Sequence, residues 1–460
     1  MAQKKEIEIG REHYNWESEI LRQGELYLVG GVVRNLLFGF DEESLDTDYL
    51  VRGLKLNKLV AILDEYGRTD LVGKSFGVIK FTPKGGKTVD IALPRTEHST
   101  GIGHKEFEVN ANPGVRVEDD LVRRDFTINS IALNLRDMSL IDPLGGSKDI
   151  KNNLLRVNRE GSFEEDPLRM VRGVQFLCRF NLKIDSNTRR YIKRASFMIE
   201  SVSGERLKDE FNKLLLLSKE PGRGFIFMKE TGLLSYLLPE LEETFGVEQN
   251  EYHPDDIFHH SIKSCNIAPQ KLNLRWSALL HDIGKKNTKK EKEGRIVFYG
   301  HENESLRIAK NILTRFRYSK RFTANVCHLI KNHMFNITED CKDSTVRRFV
   351  SRVGFENLGD LFDLRVADAL SRGDTDSVYN VKWLKKRIED LIKADSALAT
   401  SDLEIDGYDI MRLTGIKRGP RVGQILKRLL QEVIEKPDLN TRSKLSEFVV
   451  EEYRNNKNIE

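Results

Sequence analysis

ELYLVGGVVRN, residues 25–35, is the stretch on which the fold turns. The β-prone run ELYLVG (25–30) reads as a strand and VVRNLLFG as the helix that follows it, with Gly30 and Gly31 at the junction. Further along, YLVRG (49–53), GVIKFT (77–82) and TVDIAL (88–93) read as strands. LNKLVAILDEYG supplies a second helix, and KGGK (84–87) is a hairpin turn. Strands interleaved with helices over residues 25–150 define a small mixed α/β domain.

Beyond residue 160 the period changes. Leu207, Phe211, Leu214 and Leu215 recur at helical spacing, as do Phe225, Met228 and Leu233, with Pro221 and Gly222 punctuating two helices. Helical character continues through KWLKKRIEDLIK (382–393) and past a turn at LTGIKRGP (413–420). The class expected is α+β, a mixed head followed by an all-helical body. The divisions expected are a head (1–150), a helical nucleotide-selecting and neck region (151–245), a helical body (246–375) and a helical tail (376–460).

Composition agrees with this. A chain of 460 residues has room for about three domains. With 39% apolar and 32% charged residues it is neither disordered nor collagen-like. A net charge of +4 gives no global signal for nucleic acid, so basic residues for a polyanion must be gathered locally. Cys178, Cys265, Cys327 and Cys341 show no zinc or disulfide spacing and read as isolated thiols. The lysines near the N-terminus are not followed by a secretory apolar core, and no run reaches the roughly 20 apolar residues of a bilayer span. A cytoplasmic protein with no membrane partner is expected; the sequence carries no signal for oligomeric state.

Gly30 and Gly31 let backbone N–H groups approach an anion at a helix N-terminus, and Arg34 adds a positive charge for a phosphate. A plain strand-to-helix turn uses the same glycines. In LDTDYLV, Asp46 and Asp48 are two apart, so on a strand both carboxylates face one side. Two adjacent anions call for a cation, and Mg²⁺ suits carboxylates that share it with substrate phosphates. Asp90, mid-run in TVDIAL, adds a third carboxylate on an apolar strand. Glycine turn, paired aspartates and a distal aspartate together describe two-metal phosphoryl transfer from a nucleoside triphosphate.

With LVGGVVRN, LDTDYLV, VDIALPRTE (89–97), RRDFTINSIA (123–132), IDPLGG (141–146), EEDPLRMVRGVQF (164–176) and KETGLLSYLLPEL (229–241) in this order, the chain resembles the class II tRNA nucleotidyltransferases. These are the CCA-adding enzymes and the related bacterial poly(A) polymerases. The family usually carries Asp at position 35, where this chain has Asn35. The resemblance implies phosphate and ribose contacts from Arg123, Arg124 and Asp125, with Asn129 holding that loop or meeting the ribose. It also implies that the segment between Asp90 and Arg123 takes part in switching from C to A addition.

EDPLR (165–169) suggests how bases are chosen. Glu165 and Asp166 are expected to open a helix with Pro167 in its first turn, which places Asp166 and Arg169 on one side. An intrahelical ion pair would give the same pattern. Cytosine and adenine each present an amino donor beside a ring-nitrogen acceptor, which a carboxylate and a guanidinium complement. Uracil and guanine present the reverse and leave those groups unpaired. Glu165 would orient Arg169. The activity expected is CCA addition to tRNA from CTP and ATP; A-only, CC-only and poly(A) addition are the rivals.

Downstream, His260, the His281–Asp282 pair in LLHDIGK and Asp368 resemble the ligand order of the HD phosphohydrolases. His301 and His333 stand as further ligands for a second ion. The resemblance implies a divalent transition metal and a second, hydrolytic chemistry, which is the rival reading of the whole chain. RFRYSKR (315–321), KWLKKR (382–387) and IKRGPR (416–421) offer positive charge to tRNA phosphates, or serve as solvated helix faces.

Overall fold

The strand expected from ELYLV forms β1, Glu25–Val29, in the computed structural model of the chain, which describes residues 14–40, 47–72, 78–99, 107–111, 114–250, 254–393 and 399–457. The chain falls into two units, Met1–Pro239 and Glu240–Glu460.

In the first unit β1 is flanked by helices α1 (Asn15–Gln23) and α2 (Gly31–Leu37). Strand β2 (Asp48–Arg52), helix α3 (Leu56–Tyr66) and strands β3 (Gly67–Val72), β4 (Val78–Pro83) and β5 (Val89–Ala92) follow. A hairpin of β6 (Arg95–Ser99) and β7 (Phe107–Ala111) precedes helix α4 (Val117–Val122) and the short strands β8 (Ala132–Asn134) and β9 (Leu140–Ile141). The main sheet has seven strands in the order β3-β4-β5-β2-β1-β8-β9. Only β2 and β5 run parallel within it, and their register sets Asp48 directly beside Asp90. Leu26 to Val29 of central β1 are all buried, whereas β4 alternates buried Ile79 and Phe81 with exposed Lys80. That difference marks a strand covered on both faces and one covered on a single face. Trp16 packs edge-on against Tyr49 and Phe81, and the buried Glu17 accepts a 2.6 Å hydrogen bond from the Tyr49 hydroxyl.

Helices α5 (Ser162–Glu165), α6 (Leu168–Arg179) and α7 (Gly204–Leu217) carry the region after the head. Leu207, Phe211, Leu214 and Leu215 are buried along α7, and Phe225, Met228 and Leu233 beyond it, as the helical spacing predicts. Gly173 lets α6 lie tightly on Phe126, since a Cβ there would meet the Phe126 ring at 2.8 Å. That contact fixes where EDPLR (165–169) stands relative to Asp125. The motif differs from expectation. Glu165 closes α5 instead of opening a helix, Asp166 sits in the extended junction, and Pro167 caps α6. Pro167 has no N–H to give and disfavours helix in the residue before it, so the chain breaks there.

Among the described residues the second unit is helical apart from a short hairpin, Lys290–Lys292 with Arg295–Val297. One core gathers Leu274, Leu329, Phe349, Leu361 and Leu384, and another Ile410, Leu429, Val433 and Leu445. The helix before the His281–Asp282 pair runs over Leu272–Leu280, with His281 at its C-cap. KWLKKRIEDLIK lies in one helix, Thr375–Lys393. The turn at 413–420 is made by Gly415, with φ at +72°, and by Pro420 opening the next helix.

Candidate functional site

Asp48 and Asp90 face a cavity of about 300 Å³ together with Arg95, Asp120, Arg123 and Arg124. Asp46 lies outside the described residues. A second cavity of about 380 Å³ takes in Gly30, Gly31, Arg34, Asp48, Arg124, Asp125 and Asn129 on one side and Asp166 and Arg169 on the other. Asp48 and Arg124 line both. Gly30 holds φ at +68°, and a Cβ there would stand 2.8 Å from Arg124 Nη1. Only glycine admits both that backbone and that approach.

Arg34 is buried against the rings of Phe176 and Phe180. Burial brings its guanidinium down to about 10, with Arg179 and Arg172 adding repulsion against the pull of Asp125 and Asp48. It donates to Asn35 Oδ1 from Nε and Nη2 and to Asn129 Oδ1 from Nη1. Asn35 therefore keeps the acceptor that the family's usual Asp would supply and omits its charge. Asn129 in turn donates to Asp125 Oδ1 at 2.9 Å.

Asp120, fully buried, organises the arginines. Its carboxylate accepts from Arg123 Nε and Nη2 at 3.1 and 2.6 Å and from Arg124 Nη2 at 3.1 Å. Burial alone would raise its pKa, yet Arg124 and Arg123 hold it below the usual carboxylate value. Asp125 is likewise held low against burial, chiefly by Arg172, whose Nε donates to Oδ2 at 2.9 Å. Glu165 lies 3.6 Å from Arg169, which also donates to Ser162 Oγ at 2.7 Å and to the Arg123 carbonyl at 3.3 Å. The carboxylate of Asp166 is held by Arg206.

Asp120, Arg172 and Arg206 escape the sequence reading. Asp120 had a signal, since it stands three and four residues before Arg123 and Arg124 on one helical turn. Arg206 had none, being 40 positions from its partner. The segment between Asp90 and Arg123 contains the β6–β7 hairpin; residues 100–106 and 112–113 lie outside the described residues.

In the second unit His260, His281, Asp282, His301, His333 and Asp368 are all buried together. The Nδ1 atoms of His281, His301 and His333 meet the carbonyls of Ala278, Phe298 and Ile330 at 2.9, 2.9 and 2.7 Å. Ser371 Oγ donates to the Asp368 carbonyl, so it accepts from His260 Nδ1 at 2.9 Å. With every Nδ1 donating outward, all four Nε2 atoms turn inward. His260 Nε2 and His281 Nε2 are 3.1 Å apart, and His301 Nε2 and His333 Nε2 3.4 Å. Asp282 Oδ2 lies 3.2 and 3.3 Å from the first pair, and Oδ1 3.2 and 3.6 Å from the second. Asp368 Oδ1 adds to the first pair at 3.3 Å from His260.

Such crowding of lone pairs needs positive charge. Burial pulls His281 down, but Asp282 and Asp368 outweigh it and raise its pKa to about 10, while burial lowers His333. The donor set, imidazole and carboxylate with backbone-anchored rings, fits a divalent transition metal at {His260, His281, Asp282} and another at {Asp282, His301, His333}. Lys285, at 2.6 Å from Asp282, with Arg365 and Arg372 on Asp368, completes a cavity of about 310 Å³. These three cations were not singled out in the sequence.

The basic runs are partly engaged at home. Arg315 pairs with Glu240 and Arg387 with Asp343, while Lys417, Arg418 and Arg421 are exposed. The cysteines are free, three of them buried. Among the described residues no helix is long and apolar enough to cross a membrane.

Paired strand aspartates, a glycine turn and an arginine-lined cavity define a nucleotidyltransferase, and residues 26–156 match the family described as poly A polymerase head domain. Residues 181–245 match a probable RNA and SrmB-binding site of polymerase A, and residues 288–449 a putative domain 2 of tRNA nucleotidyltransferase. The chain is 33% identical to the A-adding tRNA nucleotidyltransferase of Deinococcus radiodurans over 329 residues, 68% of this chain and 75% of that one. It is 34% identical to the multifunctional CCA protein of Nitrosococcus oceani over 337 residues, covering 72% and 79%. Its fold is similar to the Bacillus stearothermophilus CCA-adding enzyme in complex with CTP, with a TM-score of 0.68 at 21% identity, covering 97% of this chain and 100% of that one. The chain belongs to the tRNA nucleotidyltransferase family. Enzymes of this family use divalent metals, and the Asp48–Asp90 pair beside the arginine cavity is a fitting carboxylate donor set.

Proposed function

We propose that the protein adds C and A, without a nucleic-acid template, to tRNA 3′ ends from CTP and ATP in the cytoplasm. The observation that carries this reading is one continuous site. Asp48 stands in register with Asp90, and the cavity that Asp48 lines extends to Asp166 and Arg169.

Asp48 and Asp90, with Asp46, would hold Mg²⁺. The ions would lower the barrier by activating the tRNA 3′-hydroxyl and neutralising the triphosphate and the departing pyrophosphate. Arg123 and Arg124, held by Asp120, receive phosphate oxygens, and Arg34 adds its buried charge. The Gly30–Gly31 turn brings backbone N–H groups to the same anion. Asp125 and Asn129 hold the ribose side of the pocket. Asp166 accepts from the base amino group while Arg169, steadied by Glu165 and Ser162, donates to the ring nitrogen. Residues 1–150 act as head, 151–245 as selector and neck, and 376–460 as a tRNA-binding tail through its exposed cations.

The test is extension of tRNA lacking CCA and of tRNA ending in CC, with CTP, ATP or both. CCA addition predicts C incorporation with CTP alone and a complete end with both. The 33% identical A-adding relative favours a second reading, in which only the CC-ended tRNA is extended, by ATP. Loss of addition in Asp46→Ala plus Asp48→Ala is expected under either reading.

The two metal-ligand groups sharing Asp282, with Lys285, Arg365 and Arg372 around them, support a second, metal-dependent phosphohydrolase activity in residues 246–375. Hydrolysis of a generic phosphodiester that survives Asp48→Ala and disappears in Asp282→Ala tests it.

A further inference from the structure

Asp166 is reached by a guanidinium from a different helix. Arg206, in the first turn of α7, places one nitrogen, Nη2, 3.1 Å from Asp166 Oδ1 and 3.2 Å from Oδ2. Asp166 itself is on the extended junction between α5 and α6, where no helix fixes its side chain. The pair is not a casual surface bridge: Asp166 retains only 17% of its side-chain exposure, and both residues line the cavity that holds Arg169.

A carboxylate offers about four lone-pair directions. A single nitrogen astride both oxygens occupies the inner pair and stops rotation about the last side-chain bond. The two outer directions then remain, and an amino group can reach one of them. Arg169 does not do this work, because its Nη1 and Nη2 reach Ser162 and the Arg123 carbonyl rather than the Asp166 carboxylate. A guanidinium has five N–H donors, so others remain for the ring nitrogen of the base. Arg206 bound to Asp166 is also a guanidinium kept from the base. Released, it would offer N–H donors to the carbonyl that uracil or guanine presents where cytosine and adenine carry an amino group.

We propose that Arg206 is a specificity-positioning residue, which orients the Asp166 carboxylate toward the base and thereby sets discrimination for CTP and ATP against UTP and GTP. This rests on the assignment of Asp166 as the base acceptor.

The experiment measures kcat and KM for all four nucleoside triphosphates on the full-length protein with the appropriate tRNA end. The variants are Arg206→Ala, Arg206→Lys, Asp166→Ala and the double Arg206→Ala/Asp166→Ala. A charge-assisted hydrogen bond of about 1.5–3 kcal/mol corresponds to roughly 10–100-fold, so Arg206→Ala should lower the ratio of correct to incorrect kcat/KM by about that factor. Arg206→Lys, which retains one charged donor nitrogen on a shorter side chain, should recover part of it. Because Arg206 acts through Asp166, the double variant should discriminate no worse than Asp166→Ala alone. Unchanged discrimination in Arg206→Ala, or additive losses in the double variant, would overturn the proposal. If Arg206→Ala fails to fold, Arg206→Lys against the wild type decides, since undiminished selectivity in a variant whose shorter side chain draws its nitrogen away from the two oxygens overturns it too. Intact discrimination in Asp166→Ala would instead remove the base-acceptor assignment on which the proposal stands.

Discussion

Replacing Asp120 by Asn should weaken binding of every nucleoside triphosphate alike. Asp120 is fully buried and accepts from Arg123 twice and from Arg124, and also from the Arg95 backbone N–H at 3.3 Å. Asn keeps the volume and one acceptor oxygen but removes the charge. Losing one partner of a buried ion pair costs about 3–5 kcal/mol. Arg123 and Arg124 remain about one-fifth exposed, so water recovers part of that, leaving ~2–3 kcal/mol. For a unit of this size the loss lowers Tm by about 4–10 °C. The chemical effect is sharper. Freed from Asp120, the two guanidiniums no longer converge on the triphosphate, and KM should rise about tenfold or more for ATP and CTP equally. Steady-state kinetics with each nucleotide, alongside a thermal melt, reads both effects. A loss confined to one base, or a melt shifted with KM untouched, would refute the phosphate-anchoring role. The pH dependence has a definite sign. Asp120 is held below its ordinary value of 3.8, so its contribution to stability is complete above that pH and fades as pH falls below it. Asp120→Asn should flatten that acid limb.

Three further outcomes follow from local geometry. Gly30→Ala places a methyl against Arg124 and forces φ near +68°, at a cost of about 1–2 kcal/mol, so kcat/KM should drop roughly tenfold with little change in base preference. In the second unit, Asp282→Asn should release more bound divalent metal than Asp368→Asn by elemental analysis, because Asp282 gives one oxygen to each ligand group; nucleotide addition should persist in both. Burial pushes the Cys178 and Cys265 thiols up to about 12, so a thiol reagent at mildly alkaline pH should label partly exposed Cys341 and spare these two until the chain unfolds.

Much of the site is legible in the sequence because its parts are local. The glycine turn, the Arg-Arg-Asp loop and the His281–Asp282 pair each bring their chemistry in consecutive residues. Asp90 was legible as a charge in an apolar strand, and the parallel β2–β5 register explains it by seating it against Asp48. Hidden were the residues that hold the chemistry in place. Asp120, Arg172 and Ser371 act through contacts that ordinary helical charge and hydroxyl spacing disguises. Arg206 meets Asp166 only because α7 packs against α6. The helix boundary at Asp166 was misplaced because periodicity records which residues face a core, while Pro167 decides where the helix starts. The mostly antiparallel sheet, with its added β3, β8 and β9, depended on pairings that short, weakly patterned strands do not announce.

The central claim is that protein side chains choose the base. Extension of a tRNA end by the wild type and by Asp166→Ala, with each of the four nucleoside triphosphates in turn, tests it most directly. The wild type should incorporate C and A and refuse U and G, and Asp166→Ala should lose most of that preference while still forming phosphodiester bonds. Equal selectivity in the two proteins would contradict it.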